Sequence, residues 1–280
     1  MHSLPIENII DSFSSMKIAV IGDVMLDKYI FGHVSRISPE YPVPVVDVTH
    51  EDFRLGGAAN VARNTHSLGA ETFLIGVTGN DANREQLLDL LGSNGLSGDH
   101  LFIEPSRPTT CKTRILSQNH HITRVDFESR EAVSLSTEKT ITDRFRKLAG
   151  SIDAVILEDY NKGLLTPSLI GEILAVAHHM QLPVLVDPKL QEFLSYRACT
   201  VFKPNLSELA AFLGTHIPNS DREVETACLK LHAKLAPENI VVTRSEKGMS
   251  IYNGSFTHIP AASLEVCQRS EERRVGKECR

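Results

Sequence analysis

LGGAANVARNTHSLGAETFLIGVTGND, residues 55–81, is the stretch whose reading decides the fold. Gly56 and Gly57 carry no side chain to hold a ligand off the backbone, and the run 58–68 behind them places small and apolar residues at helical spacing. That is a glycine turn opening a helix. A helix start offers unpaired backbone N–H groups to a hydroxyl-rich or anionic ligand, and Asn60 adds a side-chain amide in the first turn. After Gly69 the chain enters FLIGV, a buried-strand pattern, and then Gly79, Asn80 and Asp81, a second turn with a residue suited to cap the next helix. Glycine turns also open α/β helices for packing alone, so these residues leave a ligand site and a packing turn both open.

Upstream, KIAVIG (17–22) is a short apolar, β-branched run of the kind found in central strands, and it ends in Asp23 with Asp27 four residues on. Carboxylates at the C-terminal end of a parallel strand stand where α/β sheets bind ligands. Asp23 and Asp27 are therefore expected to accept hydrogen bonds from sugar hydroxyls, with helix capping as the alternative.

The segment 29–49 alternates like a strand but is broken by Pro39, Pro42 and Pro44. Prolines this dense exclude a helix and a central strand, leaving edge strands or a small separate sheet. A second such segment, 109–127, reads as a hairpin with its turn near Asn119. Its Lys112, Arg114 and Arg124 share one face by period-2 geometry. A cationic face on a small sheet suits a phosphorylated ligand, although charges of this kind also protect edge strands.

Between and beyond these segments helix and strand alternate. Residues 83–91 read as an amphipathic helix, 136–148 as a helix capped by Ser136 or Thr137, and Thr166-Pro167 as cap and first residue of a helix through Met180. Strands at 154–157, 183–186, 200–202 and 240–242 each release polar residues at their exits. The pattern implies a mostly parallel sheet covered on both faces, with a site along the strand ends. At one exit, Asn205-Leu206-Ser207-Glu208 puts an amide and a carboxylate on one face of a first helical turn, suited to a hydrated magnesium ion. The same spacing fits a capping box, and fits it better. Thr243, Arg244 and Ser245, followed by Gly248, present hydroxyl and backbone donors at another exit, adequate for nucleotide phosphates or for an ordinary turn.

With 29 Lys and Arg against 35 Asp and Glu, the net charge of -6 disfavours nucleic acid and requires any anion to be held by a local basic cluster. No apolar run approaches the roughly 20 residues of a membrane span, and a cytoplasmic protein is expected. The five cysteines show no CxxC spacing, which argues for reduced thiols rather than zinc or disulfides. The adjacent pairs His120-His121 and His178-His179 point in different directions along a strand or helix, which disfavours chelation.

Taken in order, GDVMLD (22–27), GGAAN (56–60), GxxGND (76–81), LEDYNKG (157–163), DPK (187–189), KPNLSE (203–208) and VVTRSEKG (241–248) resemble the ribokinase-like, PfkB-type carbohydrate kinases. The resemblance covers roughly residues 16–266. Within it, SRISPEYPVPV (35–45) and KTRILSQNHHITRVDFE (112–128) look closest to the heptose-phosphate kinases of lipopolysaccharide core synthesis. The resemblance implies a ribokinase-like three-layer α/β/α sandwich with a mostly parallel sheet and a small β-sheet lid, supplied by about 29–49 and 109–127 and used in relatives to pair subunits. It implies ATP-dependent phosphorylation of D-glycero-β-D-manno-heptose 7-phosphate at O1. Asp23, Asp27, Gly56, Gly57 and Asn60 would then bind sugar, and Lys112, Arg114 and Arg124 would be counter-charges to its phosphate. Asn205, Leu206, Ser207, Glu208, Thr243, Ser245 and Gly248 would belong to the ATP and magnesium side, with Glu208 as the metal residue.

The chain departs from that pattern at its end. Such kinases carry a Gly-Ala-Gly-Asp turn, which supplies the general base and an anion pocket, after the strand that reads here as 263–266. No such tetrapeptide occurs in these 280 residues. The expected organisation is therefore a kinase domain over 1–266 without its C-terminal part, and a charged segment over 267–280 that looks like out-of-frame or foreign sequence. A general base contributes ~10²–10⁴ in rate and an anion pocket ~10²–10³, so almost no turnover is expected. Two other readings compete: a PfkB-type kinase for a plain sugar or a nucleoside, and a non-catalytic protein that binds sugar phosphate.

Overall fold

The apolar run at 17–22 forms β1 (Lys17–Gly22), and its Ala19, Val20 and Ile21 are wholly buried, as a strand covered on both faces requires. The structure is a computed structural model that describes residues 6–118 and 120–262. It divides between Leu182 and Pro183 into two compact units.

In the first unit a short helix α1 (Ile6–Ser12) precedes β1. The chain then makes two long strands, β2 (Val24–Ile37) and β3 (Pro44–Gly57), before α2 (Ala58–Ser67). Strand β4 (Glu71–Thr78), helix α3 (Ala82–Ser93) and strand β5 (Leu101–Ile103) follow. Next come β6 (Cys111–Ser117), β7 (His120–Phe127), α4 (Leu135–Ala149), β8 (Ala154–Glu158) and α5 (Pro167–His179). Strand β1 lies between β8 and β4 with both pairings parallel, and β5 extends β4 in parallel. Helix α2 presents Ala58, Ala59 and Ala62, all fully buried, to a core that includes Val20, Val24 and Leu74. Small side chains let its backbone lie close to the sheet.

The two proline-bearing and basic segments form a separate four-stranded sheet, in the order β3-β2-β6-β7. Its outer pairs are antiparallel and its central pair, β2 with β6, is parallel. Pro39 and Pro42 lie in the connection between β2 and β3, and Pro44 is the first residue of β3, where a missing N–H is tolerated. Strands β6 and β7 join across residues 118–119, but Asn119 itself lies outside the described residues.

The second unit contains β9 (Val184–Asp187), β10 (Val201–Phe202), α6 (Leu206–Leu213) and α7 (Asp221–Leu235). It continues with β11 (Asn239–Thr243), β12 (Met249–Tyr252) and β13 (Phe256–Ile259). Strands β9, β10 and β11 are parallel, whereas β12 and β13 continue antiparallel. Helix α7 buries Val224, Cys228, Leu231 and Leu235, a 4-3-4 spacing that forms one face, and each such side chain contributes about 1.5–3 kcal/mol when fully buried. The strand expected at 263–266 lies outside the described residues.

One helix start differs from expectation. The cap of α4 is Ser134, whose Oγ accepts the N–H of Thr137 at 3.3 Å, rather than Ser136 or Thr137. The reason is tertiary. Glu104, which follows β5, reaches this helix start and accepts from Ser134 N at 3.0 Å and Ser134 Oγ at 2.9 Å, and from Ser106 Oγ at 3.1 Å. The backbone bond from Ser134, with hydroxyl bonds from Ser134, Thr137 and Ser106, holds the Glu104 carboxyl down at about 2, against the desolvation that opposes it.

Because the folded-state value of Glu104 lies below the ordinary 4.5, its stabilisation is fully present above about pH 4.5 and is lost as the pH falls toward about 2. Glu104→Gln is expected to lower the unfolding free energy by about 2 kcal/mol at pH 7. Urea denaturation of both proteins should show the difference shrinking between pH 5 and pH 3, and a constant difference would exclude the charged carboxylate as its source.

Candidate active site

Strands β8, β1 and β4 are parallel and end at one edge, so the residues that follow them gather there. Asp23, immediately after β1, is buried, and its Oδ2 accepts the N–H groups of Tyr160 at 2.8 Å and Lys162 at 3.0 Å. Burial raises its carboxyl above the usual range, and the bonds from Lys162, Tyr160 and Leu164 oppose that rise. Asp23, expected as a sugar ligand, is thus bonded to the loop after β8. That loop is also held by Arg107, whose Nη1 donates to the Lys162 carbonyl at 2.8 Å, and by the ion pair of Lys162 with Glu128 at 2.7 Å. Asn161 within it adopts φ +52° and keeps Oδ1 buried with no hydrogen-bond partner among the described residues.

The double glycine has a geometric cause. A Cβ on Gly57, which caps α2 at φ +53°, would lie 2.3 Å from the Asp23 carbonyl oxygen, and a Cβ on Gly56 would lie 2.6 Å from Asp27 Oδ2. The Ala58 N–H donates to the Asp23 carbonyl at 3.0 Å. Asn60 is half-buried in the first turn of α2, its Oδ1 accepting from Arg63 at 2.9 Å. Asp81 caps α3 through Arg84 N at 3.0 Å, as its position suggested, and its second oxygen accepts from Thr109 N at 2.8 Å. The GND turn is thereby tied to the segment entering β6.

Asp27 lies on β2, opposite Arg54 of β3 on one side and Lys112 of β6 on the other. Partners in register point to the same face, so these three share a row with Asp126 of β7. Two residues along, Tyr29 lies opposite Asp52 and Arg114, and Arg114 lies opposite Arg124. The expected common face of Lys112, Arg114 and Arg124 is present, interleaved with carboxylates. Arg114 is buried, and its Nη1 pairs with Asp27 Oδ1 at 2.5 Å, while Arg124 pairs with Asp126 at 3.0 Å. Lys112 lies 5.6 Å from the Tyr160 ring centre. Arg114, expected as a counter-charge to a substrate phosphate, has its Nη1 engaged by Asp27. Arg54 was not visible in the sequence as a site residue; only the register of β2 and β3 sets it against Asp27.

In the second unit the ends of β9, β10 and β11 also share an edge. Asn205 and Glu208 form a reciprocal capping box, Asn205 Oδ1 accepting from Glu208 N at 2.8 Å and Glu208 Oε2 from Asn205 N at 2.9 Å. Glu208 Oε1 accepts from Lys189 Nζ at 2.5 Å. Both oxygens are therefore engaged, one of them by a cation, and this donor set does not fit a directly bound magnesium ion. Glu208, expected as the metal residue toward a hydrated magnesium ion, has both carboxylate oxygens already hydrogen-bonded within the protein. Leu206 and Ser207 are the first residues of α6, where backbone N–H groups point outward from the helix start. Lys203 pairs with Asp187 at 2.6 Å across the neighbouring strand exits.

Thr243 ends β11 and bridges to Asn205, and Ser245 follows at φ +56°. Gly248, at φ +80°, passes the Ile259 carbonyl so closely that a Cβ would lie 2.1 Å from it, which is a packing reason for glycine there. The Arg244 side chain is buried away from this edge, bonded to Asn219 Oδ1 at 2.9 Å, Asp221 Oδ1 at 2.5 Å and Ser250 Oγ at 2.9 Å.

A family described as pfkB family carbohydrate kinase matches residues 15–267. The Bifunctional protein HldE of Pelobacter propionicus is 41% identical over 268 residues, covering 95% of this chain and 55% of that protein. The protein of the same name from Trichlorobacter lovleyi is 39% identical over 263 residues, covering 93% and 53%. The chain thus spans about half the length of the curated relatives it matches. Among solved structures, the tetrameric inhibited form of phosphofructokinase-2 from Escherichia coli superposes with a TM-score of 0.70 at 16% identity, over 89% of this chain and 81% of that one. Arabidopsis thaliana ribokinase complexed with ribose and ATP gives 0.69 at 17% identity, over 88% and 78%. The fold is ribokinase-like.

Removing one member of a buried ion pair strands the other, at a cost of about 3–5 kcal/mol. Arg114→Met is expected to destabilise the protein by about 3 kcal/mol, and adding Asp27→Asn should restore most of that loss. Urea denaturation of the four proteins in this cycle measures the coupling, and a coupling below about 0.5 kcal/mol would show that the two side chains act independently.

Proposed function

Because this chain belongs to the pfkB family of carbohydrate kinases, we propose that it phosphorylates a sugar with ATP, and that the sugar is D-glycero-β-D-manno-heptose 7-phosphate, taken at O1 to the 1,7-bisphosphate. The observation that carries the reading is the row on the small sheet: a hydroxyl-accepting carboxylate, Asp27, beside the glycine turn and flanked by cations. A plain sugar needs the carboxylate alone. A sugar phosphate also needs the cations.

In this reading Asp27, Asn60 and the backbone at Gly56 and Gly57 take sugar hydroxyls, while Lys112 and Arg124 face the substrate's phosphate. Asp23 acts through the loop it holds. The strand exits of the second unit, with Lys189, Lys203, Thr243, Ser245, Gly248 and the start of α6 at Asn205, Leu206 and Ser207, take the ATP phosphates. Magnesium enters with ATP and neutralises phosphate charge, without Glu208 as a direct ligand. The four-stranded sheet serves as the lid of a single kinase domain. No helix among the described residues is long and apolar enough to cross a membrane, and we place the reaction in the cytoplasm. Since residues 1–280 contain no Gly-Ala-Gly-Asp, a polypeptide of these residues binds both substrates but transfers phosphate slowly.

Titration calorimetry tests the reading. Heptose 7-phosphate and the ATP analogue AMP-PNP should each bind, Asp27→Asn should abolish sugar binding and leave AMP-PNP within about twofold, and turnover should fall at least ~10³-fold below that of a chain carrying the missing turn. Binding of an unphosphorylated sugar or a nucleoside in place of heptose 7-phosphate would overturn the substrate.

We also propose that two copies pair through the small sheet, which leaves Ile37, Val48 and Phe127 more than half exposed, at 60%, 56% and 55%. Sedimentation should give a dimer for the chain and a monomer for Phe127→Asp. A dimer unaffected by that change would move the interface elsewhere.

A further inference from the structure

On the small-sheet face, among the described residues, one buried guanidinium nitrogen lacks an acceptor. Arg54 of β3 pairs with Asp52 in its own strand, Nε at 2.8 Å and Nη2 at 2.7 Å, but its Nη1 is buried with no hydrogen-bond partner among the described residues. A buried guanidinium N–H without an acceptor costs roughly 1–3 kcal/mol, and an orphan of this kind marks a place where an acceptor belongs. The location is specific. Arg54 lies opposite Asp27, and its guanidinium carbon stands 4.6 Å from the centre of the Tyr29 ring. From the other flank, Arg114 of β6 stands 5.2 Å from the same ring. Two guanidinium groups thus converge on Tyr29 from neighbouring strands, and they differ in what satisfies them. Arg114 Nη1 is given to Asp27, whereas Arg54 keeps a donor.

Resting on the proposed sugar-kinase reading, we propose that Arg54 reads the phosphate monoester of the sugar substrate, Nη1 donating to a phosphate oxygen while Asp52 and the Tyr29 ring fix the plane of the guanidinium. The geometry suits that role. Arg offers planar, always-charged donors that match phosphate, and a ring beneath the guanidinium lowers its freedom before binding. Arg114 has the opposite task. Holding Asp27, it serves the hydroxyl end of any sugar, phosphorylated or not. The two arginines therefore separate by experiment, although they touch the same ring.

The test measures affinities of the full chain by calorimetry for heptose 7-phosphate, for the same heptose without phosphate, and for AMP-PNP. Arg54→Ala should weaken heptose 7-phosphate binding by about tenfold or more, leaving free heptose and AMP-PNP within about twofold, with Arg54→Lys intermediate. Arg114→Met should instead weaken both sugars alike. Thermal melting separates loss of fold from loss of binding, and Arg54→Gln, which keeps a neutral donor on a shorter stem, replaces the alanine variant should that one unfold. Equal losses for both sugars in the Arg54 variants, no loss for either, or a loss confined to AMP-PNP would overturn the inference while leaving the kinase reading intact. A wild-type chain that binds neither sugar would overturn both.

Discussion

The backbone at Gly57 passes so near the Asp23 carbonyl that a β-carbon there would lie 2.3 Å from it, and much of the first unit depends on that approach. Gly57 is the last residue of β3 and the cap of α2, so the chain leaves the small sheet and enters a helix of the main core at one point. The Ala58 N–H completes the contact by donating to the same carbonyl. Any side chain would separate β3 from the end of β1 and carry α2, with its buried alanines, off the sheet. Glycine also meets the φ of +53° without the steric penalty other residues incur. A close approach of backbones thus fixes both the packing and the position of the candidate sugar site beside Asp27.

Charge on the small sheet obeys a second constraint. Cations are gathered on the face of Asp27, each set against a carboxylate in Arg114 with Asp27, Arg124 with Asp126 and Arg54 with Asp52, and on the opposite face Lys28 pairs with Glu51. Buried charges require this, because a stranded ion inside protein costs several kcal/mol while exposed pairs contribute little. The result is a face that keeps its positive groups ordered without accumulating net repulsion. It also ties the Arg114 guanidinium to Asp27 while Arg54 is held by Asp52 in its own strand.

The strand exits of the second unit show how capping and binding compete for the same atoms. Asn205 and Glu208 close a capping box, and Lys189 takes the remaining oxygen of the carboxylate. A start of helix so completed has its own donors partly satisfied, and both oxygens of its acid are already bonded. Arg244 illustrates the converse. It leaves a strand exit rich in hydroxyls and turns inward to Asn219, Asp221 and Ser250, so it supports the 243–248 turn instead of facing it.

The sequence by itself determined the elements and the family. The apolar run at 17–22, the glycine turn at 56–57, the caps at Asp81 and Thr166, and the exclusion of prolines into a separate sheet all follow from local rules, because each depends on residues within a few positions of one another. Only the tertiary structure decided which of several chemically suitable groups is engaged and by what. Glu104 moved the start of α4 to Ser134 from thirty residues away. The β2–β3 register set Arg54 against Asp27, and burial beside the loop after β8 bonded Asp23 to backbone N–H groups. Those outcomes depend on contacts between distant segments, and period and spacing along a chain carry no information about which distant partner a carboxylate or guanidinium will meet.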